Sequence, residues 1–170
     1  SPVTLKPGDI FTITTRQIEG NQSEVSTTYS NLPNDLQAAD IVLLSDGLIK
    51  LEVVSVEQED IHCRVINGGI LYDRKGINLP GVRISEPSLT RKDREDLAFG
   101  LDHDVDYIAL SFVRDAESIR ELKKEIGNRN IPVVAKLEKP EALNSLPEIV
   151  EESDVVMVAR GDLGVEISPA

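Results

Sequence analysis

Apolar and polar positions follow two different rhythms along the chain, and the change falls near Ser85-Glu86-Pro87-Ser88. Upstream, short β-branched runs occupy 10–15, 25–29, 41–44, 48–54 and 61–66. Turn chemistry separates them at Lys6-Pro7-Gly8-Asp9, Ser45-Asp46-Gly47 and Asn67-Gly68-Gly69, with a further polar turn over 20–23. Strands this short and this closely spaced predict a small barrel or sandwich.

Downstream the period lengthens. Thr90-Arg91-Lys92-Asp93 reads as a capping box, with Asp in the place Glu usually takes, opening a helix to about Leu101. Residues 107–112 read as a buried strand. Asp115 then opens a helix to about Ile126, stopped by Gly127. A second strand is predicted at 133–137, a helix from Pro140 to about Val150, and a third strand at 155–159. Near-continuous apolar strands alternating with helices imply βαβ units and a parallel sheet, either part of a (β/α) barrel or a doubly wound sheet. Three such repeats amount to about a third of a (β/α)8 barrel, which needs ~250 residues. Alone they would leave buried strand edges unpaired. That count, and a chain that opens at Ser1 without Met, point to a piece of something longer.

Composition narrows the functions. With 18 Lys and Arg against 30 Asp and Glu, the net charge of −12 disfavours a general nucleic-acid or anionic-membrane binder. It leaves room for phosphate ligands, because a few local donors or a metal ion invert the local field. No apolar run is long enough to span a bilayer and no signal peptide is visible. The single Cys63 has no intrachain disulfide partner, which fits a reducing compartment.

In parallel α/β sheets, ligands bind at the carboxyl ends of the strands. Those ends offer Ser111, Phe112 and Arg114; then Lys136 and Glu138; then Arg160, Gly161 and Asp162. A half-buried Lys136 could act as a point charge on a phosphoryl group or as a base; a plain surface lysine has the same spacing. Glu138 and Asp162, ending neighbouring strands, could share a hard cation such as Mg2+. Equally, Asp162 could cap a helical turn and Glu138 could pair with Lys136 or Lys139. Glycines flank the acid in Ala159-Arg160-Gly161-Asp162-Leu163-Gly164, freeing backbone N–H groups to face an anion, or simply making a tight turn. Arg74 and Lys75 in a Gly/Pro loop could grip nucleotide phosphates or lie idle in solvent. His62 and Cys63 are neighbours on a predicted strand and must face opposite ways, and His103 sits in the acidic loop Asp102-His103-Asp104. Neither histidine has the partners a zinc pattern needs, so both read as structural.

Taken in order, Lys75-Gly76-Ile77-Asn78-Leu79-Pro80-Gly81, Ser111-Phe112-Val113-Arg114, Ala135-Lys136-Leu137-Glu138 and the run from Val156 to Glu166 resemble the pyruvate kinase family, over essentially the whole chain. The resemblance implies a partial (β/α)8 TIM barrel carrying a small inserted β-barrel lid. Residues 1–84 would be the lid and 85–170 the βα units that follow it. It implies transfer of the phosphoryl group of phosphoenolpyruvate to ADP, giving pyruvate and ATP in glycolysis. Residue by residue, Lys136 matches the lysine on the transferring phosphoryl group, and Glu138 and Asp162 match the carboxylates for Mg2+ or Mn2+. Gly161 and Asp162 match the turn that binds the substrate carboxylate, and Lys75 a lid cation near the nucleotide phosphates. The family also implies K+, a homotetrameric parent and a cytoplasmic location, with a plastid as the secondary alternative.

Three departures accompany the match, of which the mildest is that Leu137 and Lys139 vary the residues around Glu138. Ser45 stands where the lid turn usually carries an acid, which leaves any metal role of Asp46 open. The family's K+ ligands and a phosphate-contacting arginine would precede Ser1, and a substrate-binding threonine would follow Ala170, so the chain alone is expected to be inactive. Two other readings compete. One is a metal-dependent barrel cleaving C–C bonds of pyruvate or oxaloacetate, for which a nucleotide-gripping lid and Lys75 have no use. The other is a noncatalytic binding module built on 1–84, disfavoured by its seven basic against eleven acidic side chains and few aromatics to stack bases.

Overall fold

In the computed structural model, which describes residues 2–167, the chain divides into two compact units, Ser1–Ser85 and Glu86–Ala170. The first contains β1 (Val3–Leu5), β2 (Ile10–Thr14), β3 (Glu24–Ser26), α1 (Leu32–Asp35), β4 (Ile41–Leu44), β5 (Ile49–Glu57), β6 (Asp60–Asn67), β7 (Gly69–Leu71) and β8 (Ile77–Asn78). Six strands pair in the order β3-β2-β6-β5-β4-β8, all antiparallel except β2 with β3, while β1 pairs antiparallel with β7.

Alternation builds this unit. Phe11 and Ile13, Leu51 and Val53, Ile61, Cys63 and Val65 all point to one buried core, while most of their strand neighbours remain partly exposed, Thr14 being buried as well. Cys63 and His62 do face opposite ways: the thiol is fully buried, while the imidazole Nδ1 lies 3.0 Å from Thr12 Oγ1. Burial alone pushes the Cys63 thiol up to about 12, which makes it a packing residue rather than a nucleophile.

Several elements differ from the periodicity. The hairpin between β5 and β6 runs on to Glu57 and resumes at Asp60, because Gln58 adopts a left-handed φ of 56° that its residue type does not advertise. The short β1, β7 and β8 carry too few residues to show a period and exist through pairing. Gly68 is demanded by a close approach: a Cβ there would lie 2.3 Å from the Leu5 carbonyl oxygen.

The second unit contains α2 (Arg91–Asp102), β9 (Ile108–Leu110), α3 (Ala116–Ile126), β10 (Val133–Leu137), α4 (Pro140–Asn144), α5 (Leu146–Glu152), β11 (Val155–Val158) and α6 (Arg160–Glu166). The strands form a parallel sheet in the order β11-β10-β9, with Ala135 opposite Leu110 and Leu137 opposite Val158. Parallel strands alternating with helices fit part of a barrel.

The capping box is formed: Thr90 Oγ1 accepts from Asp93 N–H at 3.1 Å, and Thr90 N–H donates to Asp93 Oδ2 at 2.9 Å. α3 buries Ile119, Leu122 and Ile126 on one face, against Val133, Ala135 and Leu137. The single helix expected from Pro140 to about Val150 is instead two, broken at Ser145. Pro147 has no N–H to continue the ladder, and its ring would crowd the preceding turn. His103 ends α2 with Nδ1 2.8 Å from the Phe99 carbonyl and its ring stacked on Phe99, a structural role.

Asp115 caps α3 by accepting from the Ser118 N–H at 2.9 Å and the Ser118 hydroxyl at 2.8 Å. Burial raises its pKa, but the bonds from Ser118 and the charge of Arg114 outweigh that and hold it below the ordinary 3.8. Asp115→Ala is therefore expected to cost about 1 kcal/mol at neutral pH. A lowered pKa stabilises the fold above the unfolded value and stops doing so as pH falls through the folded one. The gap between variant and wild type in urea melts should be full above pH ~4 and narrow below it. A gap that is constant or widens on acidification would contradict this role.

Candidate functional site at the strand tips

The second unit's strand alternation decides what faces the sheet's open side. Ala135 and Leu137 are buried against α3, so Lys136 and Glu138, one step out of phase with them, share the opposite face. Register brings Ser111, just past Leu110, beside Lys136. Lys136 Nζ donates to Ser111 Oγ at 2.9 Å and lies 2.6 Å from Glu138 Oε1. The other carboxylate oxygen, Glu138 Oε2, accepts from the Phe112 backbone N–H at 2.8 Å. Glu138 is only 1% exposed, so its charge depends on these donors.

Phe112 makes its bond from an unusual backbone. Its φ of 54° lies in the left-handed region that a bulky residue avoids. The next lysine takes a different partner: Lys139 Nζ lies 2.5 Å from Glu166 Oε1, in a pair whose members are 8% and 6% exposed. The sequence left open whether Glu138 pairs with Lys136 or Lys139, and the geometry selects Lys136.

Asp162 follows the neighbouring tip. The Ala159 N–H donates to the Leu137 carbonyl at 3.2 Å, carrying the sheet bonding one residue past β11, and α6 begins at once. The Gly161-Asp162 segment, read from sequence as a turn, is the first turn of this short helix. Leu163 N–H is the first to bond back, to the Ala159 carbonyl at 3.0 Å, so the amides of Gly161 and Asp162 precede the ladder. A Cβ at Gly161 or Gly164 would meet nothing within 4 Å, leaving open space beside the backbone there. Among the described residues, the Asp162 carboxylate has no ion-pair or hydrogen-bond partner, and it is half-buried.

The two acids suit a hard cation by donor chemistry. Among the described residues, no cluster of three or more His, Cys, Asp or Glu side chains is placed to hold a metal. A closed all-protein cage is therefore not built from them, whereas Mg2+ takes one or two carboxylates and fills its octahedron with waters and substrate oxygens.

Lys75 belongs to the first unit, exposed in the loop between β7 and β8, next to Arg74 at a φ of 58°. Asp46 is likewise exposed, in a turn where Ser45, Asp46 and Gly47 all have positive φ. Ser111 and Phe112 were visible as residues at a strand tip and in a family motif, without the partners the fold gives them. A backbone N–H leaves no mark in composition, and the signals for Ser111 are its place at a strand end and in the Ser111-Phe112-Val113-Arg114 motif.

Comparison with known proteins adds an independent line. The family described as "Pyruvate kinase, barrel domain" matches residues 1–170. The pyruvate kinase of Corynebacterium glutamicum is 51% identical over 94% of this chain and 34% of its own length. That of Mycobacterium tuberculosis is 50% identical over 94% of this chain and 34% of its own length. That of Staphylococcus saprophyticus is 44% identical over 98% of this chain and 29% of its own length. The chain thus spans about a third of the length of the curated relatives it matches. With the order of motifs, a family match over its full length and relatives about 50% identical over nearly all of it in agreement, this chain belongs to the pyruvate kinase family.

Proposed function

We propose that this chain contributes the lid domain (residues 1–84) and the succeeding barrel units (residues 85–170) of an enzyme that moves the phosphoryl group of phosphoenolpyruvate to ADP. The products are pyruvate and ATP, a step of glycolysis. One observation carries the proposal: the Lys136 ammonium, held between Ser111 Oγ and Glu138 Oε1 at the tips of parallel strands.

Phosphoryl transfer asks the protein mainly for position and charge. Lys136 presents a cation to the travelling phosphoryl oxygens, fixed in place by Ser111 and Glu138. Glu138 and Asp162 would hold Mg2+ or Mn2+, which neutralises phosphoryl charge and polarises the oxygen of the departing enolate. The free amides of Gly161 and Asp162 receive the substrate carboxylate. Lys75 meets the nucleotide phosphates. K+ would take its ligands from residues outside this chain, as would the remaining phosphate contact, so the 170-residue chain by itself is expected to be inactive. Net charge of −12 fits small anionic substrates held by local cations better than nucleic acid. No helix among the described residues is long and apolar enough to cross a membrane. A homotetrameric assembly in the cytoplasm completes the proposal.

The test uses the full-length protein. Given phosphoenolpyruvate, ADP and Mg2+, it should form ATP and pyruvate, while the 170-residue chain forms neither. Pyruvate released from oxaloacetate without nucleotide, together with no ATP from phosphoenolpyruvate, would assign the same carboxylates to C–C cleavage instead.

A further inference from the structure

We propose that Lys139 is a positioning residue that links the segments following the three parallel strands and so sets the two carboxylates Glu138 and Asp162 relative to each other; this rests on reading those carboxylates as the metal pair. Lys139 follows Glu138 directly and is only 8% exposed. Its ammonium reaches in two directions. Toward β11 it lies 2.5 Å from Glu166 Oε1, and Glu166 closes the same short helix, α6, whose first turn carries Asp162. Toward β9 it lies 5.9 Å from the centre of the Phe112 ring, within cation–π range. Phe112 is the residue whose N–H holds Glu138 Oε2, and it does so from a left-handed backbone that needs outside support.

One buried cation therefore pairs with the carboxylate at the far end of the helix that bears Asp162 and lies within cation–π range of the half-exposed ring of the residue that donates to Glu138. A buried ion pair is a poor means of raising stability, because desolvation offsets most of the attraction. What such a pair does well is exclude alternative arrangements. Partners outside a metal's own ligands orient those ligands in this way.

The experiment measures Mn2+ binding, with Mn2+ alone as probe, by electron paramagnetic resonance on the full-length protein. Circular dichroism reports the folded fraction. Lys139→Met is expected to weaken Mn2+ binding about 10–100-fold in the folded protein, and Glu166→Gln to do likewise. Lys139→Arg, which keeps the charge and its stacking on Phe112, should stay within roughly threefold of wild type. If Lys139→Met does not fold, Glu166→Gln, which preserves shape, decides by the same threshold. Mn2+ affinity within about threefold of wild type in both, while Glu138→Gln loses binding, overturns the role of Lys139 and leaves the metal pair standing. A loss that only follows the folded fraction overturns it too. Undiminished binding in Glu138→Gln removes the metal pair itself, and this inference with it.

Discussion

In the full-length protein, Lys136→Met is expected to lower kcat by about 10²–10³-fold, the usual loss when one preorganised electrostatic donor is removed. Met keeps the length of the side chain and its path along the sheet, so the ammonium is what disappears. The geometry explains why so much should rest on it. Lys136 Nζ stands 2.6 Å from Glu138 Oε1 and 2.9 Å from Ser111 Oγ, which leaves little freedom in where its charge is presented. That fixed direction is what separates a preorganised donor from a mobile surface lysine, whose contribution would be screened and small.

The same substitution acts on folding. Glu138 is 1% exposed and would keep only the Phe112 N–H. Removing one partner of a buried ion pair costs about 3–5 kcal/mol, less here because the Lys136 side chain is 26% exposed and water reaches the site. Rate and stability must therefore be read together. Steady-state kinetics give kcat, and a urea titration gives the folding cost. A kcat within about threefold of wild type would remove Lys136 from the chemistry altogether.

Phe11→Ala is expected to destabilise the first unit by about 3–5 kcal/mol, the range for emptying a buried aromatic position. Phe11 is fully buried at the second position of β2, a central strand flanked by β3 and β6. Its strand partner is Cys63, which in turn pairs with Val53, so the ring lies in a row of buried residues crossing three strands. Such a row has little room to collapse into a void. Since a domain's whole stability is about 5–15 kcal/mol, the loss threatens the unit's fold. Urea melts that report on the first unit would show the midpoint fall; a loss below about 1 kcal/mol would mean that the core closes over the gap.

Much of the second unit was legible because its signals are local. The Thr90–Asp93 box, the Asp115 cap and the spacing of Ile119, Leu122 and Ile126 each involve residues within a few turns of one another. The helix break at Ser145 was missed although Pro147 announces it, since the apolar period continues through it. In the first unit the longer alternating strands were legible. The two- and three-residue strands β1, β7 and β8 were not, because a partner far along the chain, as with Val3 and Leu71, is what makes them strands.

At the site the division is similar. Residue type and strand end single out Lys136, Glu138 and Asp162 as chemistry-bearing positions, and the order of motifs points to their family. Which acid meets which base is another matter. Lys136 and Lys139 both lie close to Glu138 along the chain, and only the pleat of β10 turns Lys136 to it. Lys139 finds Glu166, 27 residues on, and the Phe112 amide finds Glu138 across 26. Period, caps and turns are short-range effects written in neighbouring residues, whereas burial and pairing of charge depend on which strand ends pack side by side, and that is settled when the sheet assembles.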